Sequence, residues 1–141
     1  LIINASPALF QICWRKPLNL SCAIADKNDI DDSGRRADQP EYPVKAIREA
    51  ILNAMVHRDY SVYTDSRPIQ IEMYRDRIEI ANPGGLYGKI PIDSLGKARP
   101  ETRNVILANI LELLKVTENR YSGIPTMRTE CMHAGMSMPD F

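Results

Sequence analysis

The 141-residue chain is poor in cysteine, with Cys13, Cys22 and Cys131 only, odd in number and without C-x-x-C spacing. That excludes a disulfide framework and argues against a zinc site. It reads as free thiols in a reducing compartment, so a cytoplasmic location is expected. An excess of one charge is also lacking, since eighteen basic and eighteen acidic residues cancel. A chain that coats nucleic acid or an anionic membrane by bulk charge is thereby excluded. No apolar run approaches the ~20 residues that span a bilayer, and no secretory-type leader is present. Internal repeats and low-complexity tracts are absent as well.

What is present is an apolar fraction of 44% with 26% charged residues, the balance of a globular protein with a core. The length accommodates one domain, or one domain and a piece of another. Beginning at Leu1 and stopping at Phe141, the chain reads as a fragment of a longer protein. Residues 8–14 and 20–25 are short apolar runs that read as strands. A polar stretch from Asp26 to Pro40 follows, and a boundary is expected near Pro40. Residues 1–39 would then be an N-terminal segment, the end of a preceding domain plus a linker, and residues 40–141 the main domain.

From Pro43 to about Arg58 the spacing predicts a helix, with Val44, Ile47, Ile51, Ala54 and Met55 inward. Lys45, Glu49, Asn53 and His57 recur every fourth residue and form a polar stripe on roughly the opposite side of that helix. Ile69, Ile71 and Met73, then Ile78 and Ile80 beyond Arg75-Asp76, alternate as a hairpin with one buried face. A second helix is expected over Glu101–Val116 with Val105, Ile106, Ile110, Leu113 and Leu114 inward, and a third over residues 124–134. The fold class is therefore α+β, helices packed on one face of a mixed or antiparallel sheet.

Glu49 and Asn53 stand one helical turn apart and can address one ligand together. A carboxylate that polarises water beside a neutral amide oxygen suits a Mg-phosphate group, although a solvated polar face has the same spacing. The string Glu49-Ala50-Ile51-Leu52-Asn53-Ala54-Met55-Val56-His57 resembles the N-box of the GHKL superfamily, which includes gyrase, the histidine kinases and MutL. Together with Tyr42-Pro43, His57-Arg58-Asp59-Tyr60-Ser61, Ile80 to Leu86, Pro100 to Asn104, Glu118 to Ile124 and Ala134 to Met136, it resembles the RecG-like C-terminal family. That family commonly sits behind a Schlafen/AlbA-type domain in helicase-related proteins and transcriptional regulators. The resemblance runs from about Pro40 to the end.

The resemblance implies a degenerate GHKL-like ATP-binding fold. It implies Asn53 as the Mg²⁺ ligand, Glu49 as the candidate catalytic base, and His57 with them beside the nucleotide. Asn82, Gly84 and Gly85 occupy the place of the glycine box, with Asn82 where the superfamily has an Asp that receives the adenine amino group. Gly123, near a helix start, can present backbone N–H groups to phosphate with Arg120 close by, or form a plain capping turn. The expected ligands are ATP and Mg²⁺, with hydrolysis left open and DNA reached through other domains of the parent protein.

His57-Arg58-Asp59 echoes the protein-kinase catalytic loop, but position 64 is Thr where an Asn is needed, and no D-F-G is present. An internal Arg58–Asp59 ion pair pinning the helix end is the better reading. Lys97, Arg99 and Arg103 could meet DNA phosphate or simply be solvated. The alternative to nucleotide binding is a nucleotide-free interaction module serving oligomerisation or DNA contact.

Overall fold

A computed structural model of the chain describes residues 9–15, 28–30, 36–38, 41–88, 91, 94–95, 97, 101–117 and 122–141. Its elements in order are β1 (Leu9–Arg15), β2 (Asn28–Ile30), β3 (Arg36–Asp38), α1 (Val44–His57), β4 (Gln70–Met73), β5 (Arg77–Pro83), α2 (Val105–Leu113) and α3 (Gly123–His133). The expected strand over 20–25 lies outside the described residues. Among the described residues, three helices with an antiparallel sheet of order β1-β5-β4 make the fold α+β; β2 and β3 form a separate antiparallel pair.

β5 is the central strand because it is the one with both neighbours. β1 pairs with it from Leu9 opposite Pro83 to Arg15 opposite Arg77. β1 stands on the N-terminal side of Pro40, yet it shares this sheet. On its other edge the backbone of Cys13 exchanges two hydrogen bonds with Asp140, at 2.8 and 2.9 Å, which ties the last residues to the sheet.

The period-2 pattern of β5 puts Ile78, Ile80 and Asn82 on one buried face. α1 packs on that face through Ala46, Ala50 and Ala54, three small residues at i, i+4 spacing that let the helix approach the strand closely. This turns the expected inward face by part of a turn: Ile47 and Ile51 pack at its border, and Val44 is 64% exposed. α3 lies against α1 and completes the core with Met127 and Cys131. Cys131, within that core, and Cys13, on β1, are not in a disulfide.

Two expectations about buried faces are corrected. The hairpin does not bury one whole face, because Ile71 and Met73, opposite Ile80 and Ile78, are 50% and 65% exposed. β4 is an edge strand, and it is β5 on which α1 packs. The second helix is shorter than expected and turns the other way. Its buried residues are Ala108 and Leu111, while Val105, Ile106, Ile110, Leu113 and Leu114 face outward.

Both α2 and α3 close with the same hydrogen-bond pattern. Gly135 (φ +66°) follows α3, with Met136 N–H donating to Cys131 O and Gly135 N–H to Met132 O. Lys115 (φ +55°) does the same after α2, with Val116 N–H donating to Leu111 O and Lys115 N–H to Glu112 O. These paired bonds satisfy carbonyls that the helix ends would otherwise leave open. Glycine adopts the left-handed conformation without cost, whereas Lys115 does so against the preference of a residue with a Cβ.

Candidate functional site

The polar stripe of α1 forms one wall of a cavity of about 50 Å³. Glu49, Asn53 and His57 line it with Leu52 and Val56, and Thr102, Ala108, Thr117 and Gly123 close the other sides. Four-residue spacing on α1 therefore brings together the three polar residues singled out on that helix, and Gly123 joins them from α3. The volume suits a cation with a few oxygens or part of a phosphate. It is well below the ~300–1,000 Å³ of sites that engulf a small organic ligand.

Asn53 Nδ2 donates to Glu49 O at 2.9 Å. A carbonyl can only accept, so this bond fixes the amide orientation and leaves Oδ1 as the atom for a ligand. Gly123 is glycine for reasons of space: a Cβ there would stand 2.4 Å from Asn53 Nδ2 and 3.4 Å from Glu49 Oε2. The α3 backbone thus rests on the Glu49–Asn53 pair, and any side chain would intrude on it. A hard oxygen ligand, a neighbouring carboxylate and an adjacent helix start form a donor set that fits Mg²⁺, which retains water and needs only one or two protein ligands. Among the described residues no group of three or more His, Cys, Asp or Glu could hold a metal ion by side chains alone.

His57 is partly buried, and burial pushes its pKa below the usual histidine value, with the Arg103 charge adding to the shift. The neutral imidazole is therefore the favoured form at the edge of this cavity.

The glycine loop follows β5 and sits beside the end of α1. Asp59 N–H donates to Pro83 O at 2.9 Å, joining the two segments. Gly84 has φ +97°, and a Cβ on it would overlap Arg103 Nη1 and crowd Asp59. Arg103 Nη2 donates to Gly85 O at 3.0 Å, and the guanidinium stacks on the Tyr87 ring. Gly84 and Gly85 thus receive Arg103, which approaches Asp59 to 4.0 Å. Neither glycine lines the cavity that holds Asn53.

Asn82, at the end of β5, is 1% exposed, and its Nδ2 has no hydrogen-bond partner among the described residues. Leaving such a donor unmet costs about 1–3 kcal/mol. Arg120 and Arg99 lie outside the described residues. Arg103, one of the three basic residues considered for DNA, is directed into the glycine loop through Nη2, with Nη1 buried and without a hydrogen-bond partner among the described residues, while Lys97 is exposed.

The Arg58–Asp59 ion pair is not formed. Arg58 is buried and donates to the carbonyls of Thr64 at 3.0 Å and Arg67 at 2.6 Å, so it organises the turn after α1. Asp59 accepts from Ser61 N–H at 2.9 Å, and that bond chiefly holds its carboxyl below the usual range.

Asn104 entered the sequence reading only as the end of the Pro100 to Asn104 stretch, with no role of its own, and proves important. Its Nδ2 donates to Val56 O at 2.8 Å and Arg58 O at 2.7 Å, capping α1 from 46 or more residues away. Thr102 and Thr117 are further cavity residues: Thr117 lies outside every expected helix, and Thr102 fell within the expected second helix, which begins only at Val105. The Arg-Asn dipeptide directly ahead of an apolar helix was the available signal.

No curated protein and no solved structure matches the chain. Among the described residues, no helix is long and apolar enough to cross a membrane. A protein-family model does match, over residues 66–141. The span contains Asn82, Gly84, Gly85, Arg103, Asn104, Arg120 and Gly123, and it begins after the α1 stripe of Glu49, Asn53 and His57. Covering more than half of the sequence, this match makes the chain a member of the family described as "putative ATP-dependent DNA helicase recG C-terminal", an ATPase-like, helicase-related domain.

Proposed function

We propose that this domain binds a nucleoside triphosphate together with Mg²⁺ through a GHKL-like site, as a regulatory part of a DNA-linked protein. The observation that carries the reading is the contact between the α1 stripe and Gly123: Asn53 and Glu49 meet a helix start that has no room for a side chain. Asn53 Oδ1 is the metal ligand in this reading, and the Gly123 end of α3 offers backbone N–H groups to phosphate oxygens. Bound Mg²⁺ would supply charge neutralisation at the phosphates.

The cavity accommodates only the phosphate–metal end, so the sugar and base lie across its mouth. Asn82 does not line this cavity and is 1% exposed, so its assignment to the base rests on the resemblance and on its buried Nδ2, a donor without a partner among the described residues. Where hydrolysis occurs, Glu49 orients the attacking water and accepts its proton, and His57 stays neutral beside it. This puts the chain's contribution in positioning and in excluding water.

The test is thermal. With ATP and Mg²⁺ at a hundred times the dissociation constant, the domain should gain about 2.7 kcal/mol of stability and melt several degrees higher. Glu49→Gln should retain that shift while any phosphate release falls by ~10²–10⁴. No shift with ATP or GTP at millimolar concentration would overturn the proposal.

A further inference from the structure

α2 is apolar on both sides, and only one side is covered. Its nine residues, Val105 to Leu113, contain Asn109 and Glu112 as the only polar ones. Ala108 and Leu111 turn inward and are buried. Outward stand Val105, Ile106, Ile110, Leu113 and the capping Leu114, at 50%, 77%, 48%, 81% and 65% exposure. At 3.6 residues per turn, Ile106, Ile110 and Leu113 fall within about 60° of one another, so they form a single stripe. A helix that is apolar all round belongs in an interior. Here the outer stripe and its flanks present on the order of 500 Å² of apolar surface, at the upper end of what the largest patch on a monomer reaches.

We propose that this face of α2 seats a second copy of the same chain, packed α2 against α2 across a two-fold axis at Ile110. Ile110 lies four residues from both Ile106 and Leu114, so an antiparallel pairing about it sets each Ile106 against the partner's Leu114. The surface is therefore complementary to itself, which is the requirement of a symmetric dimer. The stripe carries no charge, which leaves nothing on it for DNA phosphate or for a charged peptide to recognise. A nine-residue helix is only about 13 Å long, and its apolar patch falls short of the ~800 Å² per partner of standard interfaces, so the dimer is a weak, reversible one that forms without nucleotide, with the micromolar range as the place to look for it.

Sedimentation velocity over about 1–300 µM, on the 141-residue chain without nucleotide, reads this directly. The wild type should pass from monomer to dimer in that range, and Ile110→Glu should raise the dissociation constant by about 100-fold or more. Because Ile110 is half-exposed and outside the core, the variant should keep its helix signal and melting temperature at 1 µM. A second variant needs no charge: Ile110→Cys should form a symmetric crosslink under mild oxidation, faster than the native cysteines of the wild type. A wild type that stays monomeric at 300 µM overturns the proposal. So does a dimer that Ile110→Glu leaves intact, or one that Ile110→Cys crosslinks no faster than wild type.

Discussion

Replacing Gly123 by alanine tests the construction of the cavity without reference to any ligand. On helix propensity alone the change is favourable, by a few tenths of a kcal/mol at a first helical position and up to about 1 kcal/mol further in. The structure reverses the sign. The new Cβ would stand 2.4 Å from Asn53 Nδ2, about 1 Å inside normal contact, and that amide is held by its 2.9 Å bond to Glu49 O. To make room the amide must swing away and give up the bond, a loss of about 0.5–1.5 kcal/mol. Otherwise the backbone of α3 must retreat from α1, with overpacking costs of about 1–3 kcal/mol. Less the propensity gain, Gly123→Ala should destabilise the protein by about 1–2 kcal/mol. The same substitution in an Asn53→Ala background meets no amide and should be neutral or slightly stabilising. Urea unfolding of the four proteins, followed by circular dichroism, gives the coupling as a double-mutant cycle. An equal cost of Gly123→Ala in both backgrounds would refute the contact between α1 and α3 on which the site is built.

Three further outcomes follow from the same structure. Asn104→Ala removes two hydrogen bonds that cap α1 and should cost about 1–3 kcal/mol in chemical unfolding; an unchanged unfolding midpoint would contradict that role. The folded-state pKa of His57 is depressed, so the unfolded chain takes up a proton first; stability should be full above about pH 6.5 and decline as pH falls below it. His57→Asn should flatten the melting temperature between pH 7 and 5, and an unchanged slope would remove His57 from that linkage. With Asn82 as the base contact, Nδ2 as it stands would donate to a guanine carbonyl and a flipped amide would accept from the adenine amino group, so ATP and GTP should compete almost equally for a fluorescent nucleotide. Asn82→Asp, acceptor only, should favour ATP by about 1–3 kcal/mol and also lower stability by burying a carboxylate.

What could be read from the sequence was whatever depended on local period. Glu49, Asn53 and His57 share a face because four residues nearly complete a turn, and the structure places all three on one cavity. The β4–β5 hairpin was legible from alternation about Arg75-Asp76 for the same reason. Phase was less legible than period. α1 turns its alanines to the sheet because small residues allow a closer approach, although the larger aliphatic residues marked a neighbouring face. α2, apolar all round, has almost no polar side to set its orientation, and the expected inward residues are the exposed ones.

Contacts between distant segments left no local mark. Asn104 caps a helix that ends 47 residues earlier, and Arg103 occupies the space that Gly84 leaves vacant. Arg58 and Asp59, adjacent and opposite in charge, suggested a pair. Each instead has a better partner: Arg58 the carbonyls of the following turn, Asp59 the Ser61 amide with Arg103 nearby. The glycine loop illustrates the ambiguity most directly, since room for a ligand and room for a guanidinium look identical in sequence.

Metal dependence of nucleotide binding tests the proposed function most directly. Titration calorimetry of ATP into the wild-type chain should show binding with Mg²⁺ and a loss of about 10-fold or more in affinity when the metal is chelated. In Asn53→Ala, a substitution that favours the helix, affinity should be equally weak with and without Mg²⁺. Equal affinity of wild type and Asn53→Ala in the presence of Mg²⁺ would contradict the assignment of Asn53 Oδ1 as the metal ligand, and with it the site.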